Sequence, residues 1–184
     1  MIKKLFNLEH ELVLLLLKGE SHGRAIAKQL HIPLSTVQLG LKALAGKNVL
    51  ESRTEGRNKI YSVKRNIYAR QAVYSAEQYK LTILMGIYPY ISPLIEDLIK
   101  ARPSKLIILF GSYARFNIRK DSDIDLFVET TSIPVKKEVE DINSLLSVKI
   151  GIFNKEDLLI KEIIKNHVII AGVEEYYDKF GFFG

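Results

Sequence analysis

Two short segments in the second half of the chain constrain its fold most. The segment KLIILF, residues 105–110, is apolar and rich in isoleucine and leucine, which predicts a short buried strand. It runs into Gly111-Ser112 and a polar turn, after which SDIDLFVE alternates acidic and apolar residues. Because residues i and i+2 of a strand project from the same face, Asp123 and Asp125 are predicted to point together from a second strand.

Two carboxylates on one face of an apolar strand are typical of a site for a hard divalent cation. Mg²⁺ prefers carboxylate and phosphate oxygens as ligands. The glycine turn after the first strand lets backbone N–H groups approach phosphates closely. Together, the turn and the two acids predict a site for a metal-bound nucleotide, with Asp123 and Asp125 as the metal ligands.

The string GSYARFNIRKDSDIDL resembles the signature of the DNA polymerase β-like nucleotidyltransferases, and most closely that of their small "minimal" members, which are antitoxin-like. The resemblance covers residues 103–184, and the later segment IIAGVEEYY is similar to the closing strand and helix of that family. It implies an α+β fold with a mixed sheet and flanking helices. It also implies transfer of a nucleoside monophosphate from an NTP to an acceptor hydroxyl, with release of pyrophosphate. The matching residues are Gly111, Ser112, Ala114, Arg115, Ser122, Asp123, Asp125 and Leu126.

The resemblance also assigns roles to these residues. Asp123 and Asp125 would be the catalytic acids and would hold Mg²⁺. Arg115 would either reach phosphate or pair with a carboxylate, and both roles are open. The implied nucleotide-binding set is Gly111, Ser112, Arg115 and Ser122.

The chain departs from the family pattern at two positions. Phe116 stands where the family has a glycine that permits a tight bend. The family's third carboxylate lies on a later strand, which here corresponds to SVKIGIF, residues 147–153, and places Lys149 at the aspartate position. An ammonium group cannot bind a cation but can hold phosphate. We therefore expect Lys149 to contribute to nucleotide binding, and we expect nucleotidyl transfer to be slow or lost.

The positive charge of the chain is concentrated in its first third. Residues 1–66 hold 12 Lys and Arg against 5 Asp and Glu, a net charge of +7, whereas residues 67–184 hold 15 against 16. Such asymmetry indicates that one part of the chain meets a polyanion, or merely has a solvated basic surface.

The same third of the chain has the pattern of a winged helix-turn-helix. Helices are predicted at residues 8–18, from an N-cap at Ser21 to Leu30, and at 34–46 after the turn at Pro33. The predicted inward stripe of the third helix is Val37, Leu41 and Leu44. Strands at residues 50–53 and 60–63 flank the polar segment TEGRNK. The resemblance to winged-helix regulators implies binding to double-stranded DNA, although such domains also serve as protein-contact modules. The DNA-facing candidates are Ser35, Thr36, Gln38 and Lys42 in the third helix and Arg53, Arg57 and Lys59 in the wing.

The predicted domains are 1–66, the winged helix-turn-helix; 67–102, a helical connector; and 103–184, the nucleotidyltransferase-like domain. Five tyrosines of the connector form either a homodimer interface or ordinary packing. The aromatic tail YYDKFGFFG either packs on its own domain or presents an edge to a partner. The chain has no cysteine, which excludes disulfides and thiol catalysis. Its apolar runs are too short for a signal peptide or membrane span, so we expect a cytoplasmic protein.

Two functions of different classes fit these patterns. One is a Mg²⁺-dependent nucleotidyltransferase that binds DNA and, by resemblance, acts as the antitoxin of a HEPN-type helical partner. The other is a non-catalytic, DNA-binding transcription regulator in which a degenerate nucleotidyltransferase domain senses nucleotide or a partner. Lys149 favours the second function, and the intact GSYAR and SDID motifs favour the first.

Overall fold

The computed structural model describes residues 7–119 and 122–183, which form nine α-helices and seven β-strands in two sheets. This mixture confirms the predicted α+β class. The described residues up to Tyr79, together with Phe183, form one unit, and Lys80–Phe182 form the other. The boundary falls inside a long helix, so the predicted connector is shared between the two units.

The amino-terminal unit combines helices with a small antiparallel sheet. Its helices are α1 (Leu8–Leu17), α2 (Gly23–Leu30), α3 (Leu34–Gly46) and the first part of α4 (Ile67–Ile87). Its strands are β1 (Ser21–His22), β2 (Leu50–Glu55) and β3 (Asn58–Val63), in the order β1-β3-β2. Val37, Leu41 and Leu44 of α3 are buried, which confirms the inward stripe expected from helical spacing.

Two local predictions in this unit were wrong. Ser21 is not the N-cap of α2, because it lies in β1 and pairs with Tyr61. His22 caps the helix instead, since its Nδ1 accepts a hydrogen bond of 3.2 Å from the N–H of Ala25. The segment TEGRNK is mostly strand, and only Gly56 and Arg57 form the turn between β2 and β3. Gly56 has a φ of +56°, which suits a two-residue hairpin turn.

The carboxy-terminal unit is built on a four-stranded mixed sheet of order β6-β5-β4-β7. The strand β4 is antiparallel to both β5 and β7, whereas β5 and β6 run parallel. The strands are β4 (Ile107–Leu109), β5 (Ile124–Glu129), β6 (Leu146–Gly151) and β7 (Val168–Ala171). The helices after α4 are α5 (Ser92–Ala101), α6 (Gly111–Ala114), α7 (Ile133–Glu140), α8 (Leu158–Lys165) and α9 (Val173–Phe180), with a 3-10 turn at Pro89–Ile91.

Alternation along β5 sorts its side chains onto two faces of this sheet. Ile124, Leu126 and Val128 are buried in a core that includes Leu94, Ile95 and Leu98 of α5. Phe127 lies on the other face, where its ring contacts Phe153 at a centroid distance of 6.5 Å, and Phe153 contacts Tyr176 of α9 at 5.4 Å. Asp125, two residues before Phe127, belongs to this second face.

Between Tyr176 and Phe182, the aromatic tail packs within the carboxy-terminal unit. Tyr176 and Tyr177 are buried, and their rings contact Phe180 at 5.9 and 6.4 Å. Tyr177 also meets Phe182 edge-on at 6.2 Å. In the described part of the chain, no helix is both long enough and apolar enough to cross a bilayer.

Candidate nucleotide site

The glycine turn lies directly against Asp125. Gly111 begins α6 with a φ of +69°, and a Cβ built on it would lie 2.1 Å from Oδ2 of Asp125. The N–H of Phe110 donates to the backbone carbonyl of Asp125 at 3.0 Å, which continues the pairing of β4 with β5. Glycine alone suits this position, because a side chain would strain the left-handed backbone and would displace the Asp125 carboxylate. Gly111 and Asp125, from the two ends of the motif string, are therefore in contact.

The two predicted metal ligands differ in their surroundings. Asp123 is exposed and immediately precedes β5, whereas Asp125 is half-buried inside the strand. Burial is the main cause that raises the pKa of Asp125, and the negative charge of Asp123 raises it further. A hydrogen bond from the Ser147 hydroxyl acts in the opposite direction and favours the ionised form. Asp125 is thus a carboxylate that a bound cation would stabilise.

Parallel pairing of β5 with β6 defines which side chains stand beside Asp125. The register places Ser147 opposite Asp125 and Lys149 opposite Phe127, so both side chains lie on the face of Asp125. Lys149 is exposed, and its ammonium favours the ionised form of Asp125 and so lowers its pKa. On this face β6 therefore offers a hydroxyl and an ammonium, and no acid. Lys149 was a predicted site residue, whereas sequence reasoning missed Ser147, because strand register is not encoded in a local pattern.

A second missed residue is Glu162 of α8. Its Oε1 lies 3.4 Å from Nη1 of Arg115, and both side chains are about half-exposed. The charge of Glu162 also raises the pKa of Asp125. Arg115 therefore pairs with a carboxylate in this structure, which is one of the two roles left open for it. Nothing in the amphipathic sequence of α8 distinguishes Glu162 from a solvent-facing acid.

Ser112 and Ser122 stand at the two ends of the motif loop. Ser112 is half-buried in α6 next to Gly111, and its carbonyl accepts a hydrogen bond of 3.0 Å from Asn117. The Ser122 hydroxyl accepts from the N–H of Arg119 at 2.8 Å, and the N–H of Ser122 donates to the Arg119 carbonyl at 3.1 Å. Ser122 is thus bonded to Arg119 immediately before the acidic pair.

Phe116 has a left-handed backbone conformation, which ordinarily favours glycine. Its φ is +53°, in the left-handed region, and its N–H donates to the carbonyl of Tyr113 at 3.0 Å. The tight bend after α6 is therefore present despite the side chain, at a cost in backbone strain.

Tyr113 anchors the motif turn in the core. It is buried, and its hydroxyl lies 3.1 Å from that of Tyr90, while its ring meets Tyr88 edge-on at 5.6 Å. Burial raises the pKa of Tyr113 and the Tyr90 hydroxyl raises it further, so the Tyr113 hydroxyl stays protonated near neutral pH. Two of the five connector tyrosines therefore pack against the motif.

The donor set suits a magnesium ion that arrives with its nucleotide. Among residues 7–119 and 122–183, no three His, Cys, Asp or Glu side chains are grouped closely enough to hold a metal ion by themselves. Two carboxylates are nevertheless sufficient when phosphate oxygens complete the coordination, as is common for Mg²⁺. Asp123 and Asp125 fit that arrangement.

The predicted DNA-facing residues lie in the amino-terminal unit. Ser35, Thr36, Gln38 and Lys42 are all exposed on α3. Arg57 is exposed at the hairpin turn, and Lys59 is exposed on β3 with its ammonium 5.6 Å from the ring centroid of Tyr61. Arg53 is paired with Glu20 and, at 3.2 Å, with Glu55.

Comparison with known proteins agrees with this geometry. A family model described as polymerase beta, nucleotidyltransferase matches residues 94–175. A protein of Methanocaldococcus jannaschii with the name "Putative protein adenylyltransferase" is 42% identical over 71 residues, which cover 39% of this chain and 70% of the relative. No solved structure matches the chain.

These matches, together with the glycine turn held against a paired-acid strand, show that the chain belongs to the polymerase beta nucleotidyltransferase family. The family match begins inside α5, nine residues before the predicted start at residue 103. The family match therefore includes most of α5.

The strain at Phe116 predicts an inverted order of stability for two small replacements. Phe116→Gly and Phe116→Ala both remove the ring, but only alanine keeps a Cβ in the left-handed region. We expect the glycine variant to be more stable than the alanine variant by about 1 kcal/mol, measured by urea unfolding. At ordinary positions the alanine variant is more stable than the glycine variant by about 0.5–1 kcal/mol. A more stable alanine variant at position 116 would contradict the left-handed conformation of this residue.

The raised pKa of Asp125 predicts a pH-dependent cost to folding. The native state holds the Asp125 proton more tightly than the unfolded chain does, so the ionised carboxylate destabilises the fold near pH 7. We therefore expect Asp125→Asn to increase the free energy of unfolding at pH 7, with the gain shrinking as the pH falls towards about 4. Urea titrations without metal or nucleotide would measure both effects.

Asp97→Asn is the matched control, because Asp97 is exposed on α5. Its effect should stay within about 0.5 kcal/mol, as for ordinary surface positions. Destabilisation by Asp125→Asn at pH 7 would show that the carboxylate is not strained by its surroundings.

Proposed function

We propose that this protein transfers AMP from ATP, as its Mg²⁺ complex, to a hydroxyl of another protein, and that its amino-terminal unit binds DNA. The observation that supports the transfer most directly is the contact between Gly111 and Asp125, which joins the phosphate-binding turn to the paired acids. Membership of the nucleotidyltransferase family supports the reaction class. The name of the Methanocaldococcus relative favours adenylyl transfer to protein, and a HEPN-type helical protein is the proposed acceptor in an antitoxin-like role.

Each site residue has a proposed task. Asp123 and Asp125 would hold Mg²⁺, which when bound neutralises phosphate charge and polarises the reacting phosphorus. Gly111 and Ser112 would contact the triphosphate through the turn. Lys149 and Arg115 would neutralise the remaining phosphate charge, with Arg115 leaving Glu162 to do so.

In the reaction, the acceptor oxygen would bond to the α-phosphorus as the bond to the bridging oxygen breaks, and pyrophosphate would leave with the electron pair. The proton of the acceptor hydroxyl must also leave. On the Asp125 face, β6 provides Ser147 and Lys149, neither of which is a carboxylate that could accept it. The proton would therefore pass to water, and transfer would be slower than with a third acid.

This missing acid also favours a second function. A domain that binds nucleotide and cannot activate an acceptor would serve as a sensor, and the protein would then be a DNA-binding transcription regulator. The two functions share the nucleotide site and differ only in whether transfer follows binding. A homodimer is compatible with either.

Nucleotide binding is predicted to depend on Mg²⁺ and on both acids. Asp123→Asn and Asp125→Asn should each weaken the affinity for Mg·ATP by at least about tenfold in calorimetry, because charged hydrogen-bonding and ligand groups contribute about 1.5–3 kcal/mol. Asp97→Asn should leave the affinity unchanged. Equal Mg·ATP affinity in all four proteins would contradict the assigned site.

Lys149 is predicted to limit the rate of transfer. Incubation with labelled ATP and Mg²⁺, with and without a HEPN-type protein, should show weak labelling by the wild type. Lys149→Asp should raise the rate by up to about 10²–10⁴-fold, the usual contribution of one acid–base group. Lys149→Gln is the control, since it removes the ammonium without adding an acid and should only weaken nucleotide binding. Rapid wild-type transfer that Lys149→Asp does not improve would refute this role.

DNA binding is proposed from the amino-terminal unit as a winged helix-turn-helix. The order of α2, α3 and the β2–β3 hairpin supports it, as do the exposed polar residues of α3. The helix α3 contains no acidic residue, and Arg57 lies at the hairpin tip. Arg53 is partly neutralised by Glu20 and Glu55, so we assign the phosphate contacts mainly to Arg57 and Lys59.

Removal of Arg57 and Lys59 is predicted to weaken binding to every duplex sequence. Fluorescence anisotropy of the full chain across a salt series should show the slope of log K against log [salt] falling in magnitude by about 1 for each lysine or arginine removed. Lys100→Ala, which removes an exposed charge on α5, should change neither affinity nor slope. Absence of duplex affinity at low salt would rule out this function.

A further inference from the structure

Leu39 is an apolar side chain exposed at the centre of the proposed DNA-reading helix. It is 70% exposed, more than the other large exposed apolar residues of the described amino-terminal unit, Ile67 at 61% and Tyr68 at 59%. It follows Gln38 and precedes Lys42 by three positions on α3. A leucine so exposed in the middle of a helix contributes nothing to the core beneath it, which Val37, Leu41 and Leu44 fill.

The surroundings of Leu39 on α3 are small or polar. Residues three and four positions away share its side of the helix, and these are Thr36 and Ser35 before it and Lys42 and Ala43 after it. All four are exposed, and none is acidic. This single large apolar group is unlike the extended apolar patches that mark protein interfaces. Short neighbouring side chains would let the helix approach a partner closely.

The net charge of the first third of the chain and the absence of acids from α3 favour a polyanion over a protein partner. Residues 1–66 carry a net charge of +7, and α3 contributes Lys42 and no acid. In the major groove of DNA, the apolar feature of a base edge is the C5-methyl group of thymine. A leucine between a glutamine and a lysine on such a helix is therefore suited to contact thymine.

We propose that Leu39 contacts thymine methyl groups in the major groove and is a specificity-determining residue of this protein. The inference rests on the proposed DNA binding and adds to it a stated sequence preference. Phosphate contacts by Arg57 and Lys59 would supply affinity for any duplex, whereas Leu39 would favour sites with thymine at a fixed position.

The test removes the methyl group from the DNA and the side chain from the protein. A duplex is first selected from a random pool by the full-length chain, and each thymine is then replaced in turn by uracil, which lacks only the methyl group. We expect wild-type affinity to fall about fourfold at one or two positions, the effect of losing one buried methyl group. Leu39→Ala should bind the unmodified duplex more weakly by a similar or larger factor, and uracil at those positions should then have no further effect.

The control variant is Leu158→Ala, which removes another highly exposed leucine, in the carboxy-terminal unit, and should retain every uracil effect. Salt-sensitive binding to all duplexes, with no uracil effect or with the same uracil effect in Leu39→Ala, would overturn the role of Leu39 and leave DNA binding intact. Absence of DNA binding would overturn both. A change in sedimentation-derived oligomeric state on Leu39→Ala, without a change in DNA affinity, would show that this face contacts another copy of the chain.

Discussion

The close approach of Gly111 to Asp125 is the constraint on which the site depends. A Cβ at position 111 would lie 2.1 Å from the carboxylate oxygen, and the left-handed φ of Gly111 independently disfavours a side chain. The antiparallel pairing of β4 with β5 brings these residues together, and their backbones are joined by the Phe110 to Asp125 hydrogen bond. The hydrophobic faces of β5 in turn fix which way Asp125 points, since a one-residue slip would turn it into the core.

Sequence alone predicted the parts of the fold that local patterns encode. The bounds of α3 and the burial of Val37, Leu41 and Leu44 followed from helical spacing and helix-start signals. The direction of Asp125 followed from strand alternation. Predictions failed where competition between neighbouring residues decides the outcome, as when His22 rather than Ser21 caps α2 because Ser21 is drawn into strand pairing with Tyr61.

The surroundings of Asp125 were predictable only in part. A motif identifies Asp123 and Asp125, but the identity of their neighbours depends on the register of β6 and on the docking of α8. The parallel register determines that Ser147, and not Lys149, stands directly beside Asp125. Glu162 comes near through the packing of a helix whose sequence indicates only an amphipathic surface. Both are long-range consequences of packing, and no local spacing carries them.

The proposed DNA binding and the proposed nucleotide binding would depend on charges in different dielectric surroundings. In the amino-terminal unit, exposed cations and an acid-free helix act at a surface in high dielectric, where salt screens them. In the carboxy-terminal unit, charges of both signs surround a half-buried carboxylate, and burial strengthens their mutual influence. Salt should therefore weaken DNA binding much more than nucleotide binding.

Lys149 changes the net charge of the candidate site. The candidate site holds three acids, Asp123, Asp125 and Glu162, and two basic side chains, Lys149 and Arg115. With all five ionised, their formal net charge is −1. An additional carboxylate in place of the lysine would make that net charge −3 and would attract free divalent cations. With the formal charge near neutrality, the site would attract free divalent cations less strongly and would repel the phosphate groups of an approaching nucleotide less strongly.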